Sequence, residues 1–144
     1  MQNLINISEA ASLALHTTVL LAHSDGEAMP TNRIAAKLRV SEAHLAKVMQ
    51  RLGKAGVVHG QRGPGGGFTL ARDPEQITLL DVLEGAEGAI SIHDCLYSQP
   101  ICQGDCLMGG LLSKVGHQVL DYFKNTRLSD LGHVYREDRN EEAT

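Results

Sequence analysis

Residues 33–70 read RIAAKLRVSEAHLAKVMQRLGKAGVVHGQRGPGGGFTL. This stretch predicts a short helix from Arg33 to Leu38, a tight turn at Arg39 and Val40, and a second helix opening at Ser41. A serine hydroxyl at that position can accept from an otherwise unpaired first-turn amide. Leu45, Val48, Met49 and Leu52 recur at i, i+3, i+4 and i+7 and form one apolar stripe. Ala43, Lys47, Gln50 and Lys54 then fall on the opposite side, with His44, Ala46 and Arg51 flanking. Two tightly joined helices, the second with a polar outer face, make a helix-turn-helix. Gly53 and Gly56 are expected to close the second helix. Val57–Arg62 and Phe68–Leu70 can pair as a hairpin around the glycine-rich run 63–67. The fold class that follows is mostly α with a small β-hairpin wing.

Charge points the same way. Between Arg33 and Arg72 there are eight Lys or Arg and a single acid, Glu42, inside a chain of net charge −4. A local basic patch attracts phosphates even on an acidic protein, because salt screens charges beyond ~8–10 Å. Double-stranded DNA is therefore the expected partner. The candidate contacts are Ser41, His44, Lys47 and Arg51 on the second helix, with Arg62 and Gly65 in the wing.

Working outward, 144 residues with 42% hydrophobic content can build a packed core, and scarce aromatics leave Leu, Val, Ile and Ala to fill it. No run approaches ~18 apolar residues and the N-terminus lacks a signal-peptide pattern, so a cytoplasmic protein without membrane attachment is expected. Leu4–Ile7 is a short apolar start, read as a strand or staple. Ser8 can cap a helix reaching about Ser24, with Ala10, Leu13, Ala14, Thr17, Leu20 and Leu21 on one face. Thr31 is read as the cap of the next helix, Thr78 as the cap of a short helix Leu79–Ala86 stopped by Gly85–Gly88, and Thr126 as the cap of a last turn near Leu128–Leu131. A long amphipathic helix is expected from about Leu107 to Asn125, its stripe running from Met108 through Leu112 and Val119 to Phe123. One small winged helix has no use for that whole stripe, which predicts a homodimer through this helix. The resulting division is a winged helix-turn-helix DNA-binding domain at 1–78, a cysteine loop and dimerisation helix at 79–135, and a flexible tail at 136–144.

Cys95, Cys102 and Cys106 lie within twelve residues on a Gly- and Pro-containing loop. Three reduced thiols are unsuited to a disulfide scaffold and suited to an iron–sulfur cluster, zinc or copper(I). Spacing alone does not choose among these, and a fourth ligand must come from elsewhere. His93, two residues before Cys95, is one candidate. The glycine run at 63–67 lacks the Gly-Lys-Ser/Thr ending of a phosphate loop, and no catalytic triad or carboxylate pair has a defensible geometry, so an enzyme is not expected.

The chain resembles the Rrf-type winged-helix regulators, the family of IscR, NsrR and RsrR. The resemblance runs from about Ile5 to Leu131. It rests on Ala14-Leu15-His16, on 52–58 (LGKAGVV), on 62–71 (RGPGGGFTLA), on 77–82 (ITLLDV), on the cysteine loop and on Leu128-Ser129-Asp130-Leu131. It implies a homodimer that binds DNA and carries an iron–sulfur cluster, [2Fe-2S] or [4Fe-4S], on Cys95, Cys102 and Cys106. Gly109 stands where IscR-like members have a histidine, and Ser12 where NsrR-like members have an aspartate. RsrR-like members use a glutamate and a histidine one turn apart; Ser12 replaces the glutamate, while His16 matches the histidine and becomes the leading fourth ligand. Ala46 stands where IscR-like members carry a base-reading glutamate, so a different operator is expected. A cluster-free regulator responding to a small molecule, thiol oxidation or a protein partner is the alternative.

Overall fold

The computed structural model describes residues 6–135, so the tail 136–144 and Leu4 and Ile5 of the apolar start lie outside the described residues; Ile7 is exposed. The elements in order are α1 (Glu9–Ala22), α2 (Thr31–Leu38), α3 (Glu42–Lys54), β1 (Val58–Gln61), β2 (Gly67–Leu70), α4 (Leu79–Glu87) and α5 (Leu111–Asn125). Short 3₁₀ turns at Pro74–Gln76 and Leu128–Leu131 complete the order.

Helix α1 is the centre of the core. Ser8 accepts from the Ala11 amide and caps it. Burial extends past the expected single face to Ala11, Thr18 and Val19, because α2, α3, α4 and β2 all pack around this helix. A helix enclosed in this way is apolar nearly all round. The Thr18 hydroxyl avoids an unpaired polar group by donating to the Ala14 and Leu15 carbonyls.

The helix-turn-helix forms as its sequence requires. Arg39 takes the left-handed conformation (φ 56°) that ends α2, and Ser41 accepts from the His44 amide to start α3. Leu45, Val48, Met49 and Leu52 are all buried. Two local expectations need correction. Thr31 does not cap α2: Pro30 holds that place, without a side-chain bond, and Thr31 is the first helical residue. Gly53 lies inside α3, which ends at Ala55 and Gly56 (φ +75°).

The hairpin pairs Val58 with Leu70 and Gln61 with Gly67. On its other side β2 is bridged by Met29, which donates to and accepts from Phe68 at 3.0 and 2.9 Å. This packing explains Gly67. Its φ is +145°, and a Cβ there would sit 2.4 Å from the Met29 carbonyl oxygen. Gly67→Ala should destabilise the fold by at least ~2 kcal/mol, read from urea unfolding. An unchanged midpoint would mean that the wing does not rest on Met29.

Helix α4 starts with a reciprocal capping box: Thr78 accepts from the Asp81 amide and Asp81 from the Thr78 amide. Gly85 stays helical, packed on Leu52 and Val57 of the core, and Gly88 ends the helix. Helix α5 begins at Leu111 rather than Leu107, because Gly109 and Gly110 take positive φ just before it. The last turn is not capped by Thr126; the Arg127 amide donates to Asp130 instead. Backbone bonds from Leu79 to Thr126 and from Leu128 to Ile77 stitch the end of α5 to the start of α4.

The expected unpartnered stripe on α5 divides in two. Phe123 is buried and Val119 packs against the core, so part of it is already used within one chain. Leu111, Val115 and Tyr122 stay 49%, 36% and 57% exposed.

Candidate nucleic-acid interface and metal centre

The expected reading head is α3 with the wing beside it. Ser41, Ala43, Ala46, Lys47, Gln50 and Lys54 are exposed, opposite the buried stripe. His44 is half-buried on the flank, with Nδ1 3.6 Å from the Glu9 carboxylate of α1. Arg62 and Gly65 are exposed in the wing, where Gly65 has φ +73°. Arg51 is engaged otherwise: its guanidinium donates to the Ala86 carbonyl at 3.3 Å, in the last turn of α4. A cation suits that end of a helix, where carbonyls lack partners. The periodicity that put Arg51 on the flank of α3 could not show that α4 ends beside it.

A second polar contact meets α4 at the same end, from Ser8 to the Glu87 carboxylate. Glu9, the neighbour of Ser8, was not singled out by sequence. It is far from α3 along the chain and only the packing of α1 brings it there.

The cysteines sit on the irregular segment between α4 and α5. Its first residues dock on α5, where Ile92 lies so close to Gly116 that a Cβ there would meet its Cγ2 at 2.7 Å. Beyond this anchor Cys95 is half-buried, while Cys102 and Cys106 are exposed. The backbone N–H of Met108, and then those of Gly110 and Gly109, face the Cys106 sulfur and hold its thiol below the ordinary value against a small opposing effect of burial. Thiolate is the form that ligates metal and reacts with oxidants.

Among the described residues, no three of His, Cys, Asp and Glu in this one chain converge as a metal site. The donor chemistry nevertheless suits a cluster: three soft ligands on one loop, one of them biased towards thiolate. His16 is exposed on α1, and its Nδ1 lies 2.7 Å from the Ser12 carbonyl. Donation of Nδ1–H to that carbonyl leaves a lone pair on Nε2 for a ligand. His117 on α5 makes the same bond to Ser113, and His93 is exposed beside Ser91. No helix among the described residues is long and apolar enough to cross a membrane.

The Rrf2 family model, described as iron-dependent transcriptional regulator, matches residues 7–133. A protein of Aquifex aeolicus (strain VF5), assigned as an HTH-type transcriptional regulator, is 32% identical over 128 residues, covering 86% of this chain and 89% of the relative. The HTH-type transcriptional regulator NsrR of Bacillus subtilis (strain 168) is 40% identical over 76 residues, 53% of this chain and 52% of NsrR. Among solved structures, CymR, the global cysteine regulator of B. subtilis, is similar with a TM-score of 0.74 at 26% identity, covering 92% of this chain and 100% of CymR. With the winged helix-turn-helix architecture and these matches in agreement, the chain belongs to the Rrf2 family of transcriptional regulators.

Proposed function

We propose that this regulator is a homodimer whose DNA affinity is set by an iron–sulfur cluster on Cys95, Cys102 and Cys106, with His16 of the partner subunit as fourth ligand. The observation that carries the reading is the place of the cysteine loop. It joins α4, whose last turn is bonded to Arg51 of the reading helix, to α5, whose exposed apolar side is free for a second copy. A bound cluster supplies a centre whose charge and integrity respond to redox state, oxidants or nitric oxide. Holding the loop fixes the end of α4 and the dimer seam together; releasing it alters the spacing of the two reading helices. A difference of 1.4 kcal/mol between these states changes DNA affinity tenfold. The coupling is reciprocal, so operator DNA also changes cluster stability.

The direct test is anaerobic reconstitution followed by visible absorption, iron and sulfide analysis, and DNA titration of the loaded and cluster-free protein. Sulfur-to-iron absorption with different affinities in the two forms is expected. A second reading has its own support in the exposure of Cys102 and Cys106, the lowered Cys106 thiol and the likeness to CymR. On that reading the protein stays colourless and thiol oxidation alone changes DNA binding.

Ser41, His44 and Lys47 are assigned to the major groove, and Arg62 and Gly65 to the minor groove, where narrow A·T-rich segments attract guanidinium. Arg62→Ala should weaken specific binding by ~1–3 kcal/mol. Equal affinity of variant and parent for the operator would remove Arg62 from the interface.

A further inference from the structure

We infer that Glu9 is a specificity-determining residue: it faces Nδ1 of His44 and so sets which face of the ring's hydrogen-bonding chemistry the reading helix offers to a base. The inference rests on the DNA-reading role of α3 proposed above. Three observations carry it. Glu9 is exposed at the start of α1, yet its Oε1 lies 3.6 Å from His44 Nδ1. His44 is the third residue of α3, in the first turn, where side chains of a recognition helix reach base edges. The basic stretch 33–72 has only one acid of its own, Glu42, so Glu9 brings a second carboxylate to a surface meant for phosphates. A negative charge opposes phosphate approach. Its presence beside a histidine is accounted for if it orients that histidine.

The chemistry is simple. A neutral imidazole has one N–H and one lone pair, and the partner of one nitrogen decides the state of the other. The carboxylate stands just outside hydrogen-bond range at 3.6 Å, and its negative charge favours the tautomer that turns the positive N–H end, Nδ1–H, towards it. Nε2, on the far side of the ring, is then a hydrogen-bond acceptor. In the major groove an acceptor pairs with the amino groups of cytosine N4 or adenine N6. Without the carboxylate, the proton is free to move to Nε2, which becomes a donor suited to guanine N7 and O6 or thymine O4. Glu9 thus selects the base read by His44 without touching DNA.

The test combines nuclear magnetic resonance with binding-site selection, on the full chain prepared anaerobically at pH 8. Nitrogen-15 spectra of the His44 ring should show the Nδ1–H tautomer in the parent and a shift towards Nε2–H in Glu9→Ala. Selection from a randomised duplex pool should give the parent a base with an amino donor at one position of each half-site. Glu9→Ala should lose that preference by about fivefold or more and shift it towards guanine or thymine. In a His44→Ala background, Glu9→Ala should change no base preference, because the ring it acts on is gone. Several results would overturn the assignment: an identical motif for parent and Glu9→Ala, a uniform rise in affinity without a change of motif, or a Glu9 effect that survives loss of His44. A parent that enriches no sequence would overturn the DNA-reading role itself, and this inference with it.

Discussion

Val115→Asp should leave the chain folded and make it monomeric, with operator affinity reduced on the order of 10²–10⁴-fold. The structure selects this position over others on the same helix. Val115 and its neighbours Leu111 and Tyr122 are exposed on α5, while Leu112 lines a cleft facing Leu80 and Leu83 of α4. A carboxylate at Val115 therefore meets water in the single chain but would be buried in a seam between copies. In a two-fold interface the change occurs twice, and two unpaired carboxylates are desolvated close together. Each separated monomer would then hold one half-site alone. The gain from binding two half-sites at once, with reading helices roughly 34–36 Å apart on successive turns, would be lost. Sedimentation velocity at micromolar concentration and circular dichroism measure the two halves of this expectation. Leu112→Asp is the contrasting variant: it places a charge inside one chain and should lower thermal stability. A dimeric Val115→Asp with unaltered DNA binding would refute the interface.

Cys102→Ala should abolish cluster assembly, leaving a colourless protein without bound iron or sulfide after anaerobic reconstitution. Removing one of three thiolates leaves two protein sulfurs on a loop open to solvent, and competing thiols in solution then complete the stripping. Its DNA affinity should equal that of the cluster-free parent under all redox conditions, because the element that biases the two states is gone. Cys102 is exposed, so the fold should be unaffected. His16→Ala divides the proposal further. It should retain colour but shift the spectrum and midpoint potential, since an imidazole nitrogen is replaced by water or another donor. An unaltered spectrum in His16→Ala would keep the cluster and discard His16. Full cluster content in Cys102→Ala would sink the cluster reading, and the thiol-responsive alternative would take its place.

Much of the reading head was legible in the order of residues, because it is built from short-range rules. The apolar stripe Leu45–Leu52 follows helical periodicity, and Ser41 and Thr78 bond amides three residues away. The wing is announced by glycines at a turn and by paired apolar ends, and the structure found its strands within a residue or two of expectation. Even so, the sequence left two caps misplaced. Thr31 and Thr126 have the right chemistry for a cap, but a neighbour held the cap position in each case.

What only the tertiary structure decided is where distant segments meet. Periodicity marked one face of α1 as apolar, yet α2, α3, α4, β2 and the Leu128–Leu131 turn all pack against it. The same pattern made one stripe of α5, and packing against α4 divided it into a buried part and an exposed part. Arg51 reads as a cation on the reading helix until α4 is seen to end beside it, and Glu9 reads as an ordinary helix-start acid until α1 brings it to His44. The physical reason is common to all of these. A local pattern fixes which side of an element is apolar or charged through bonds to residues a few places away. Which partner that side meets depends on how the whole core closes, and core closure is a property of many weak contacts between segments far apart in the chain.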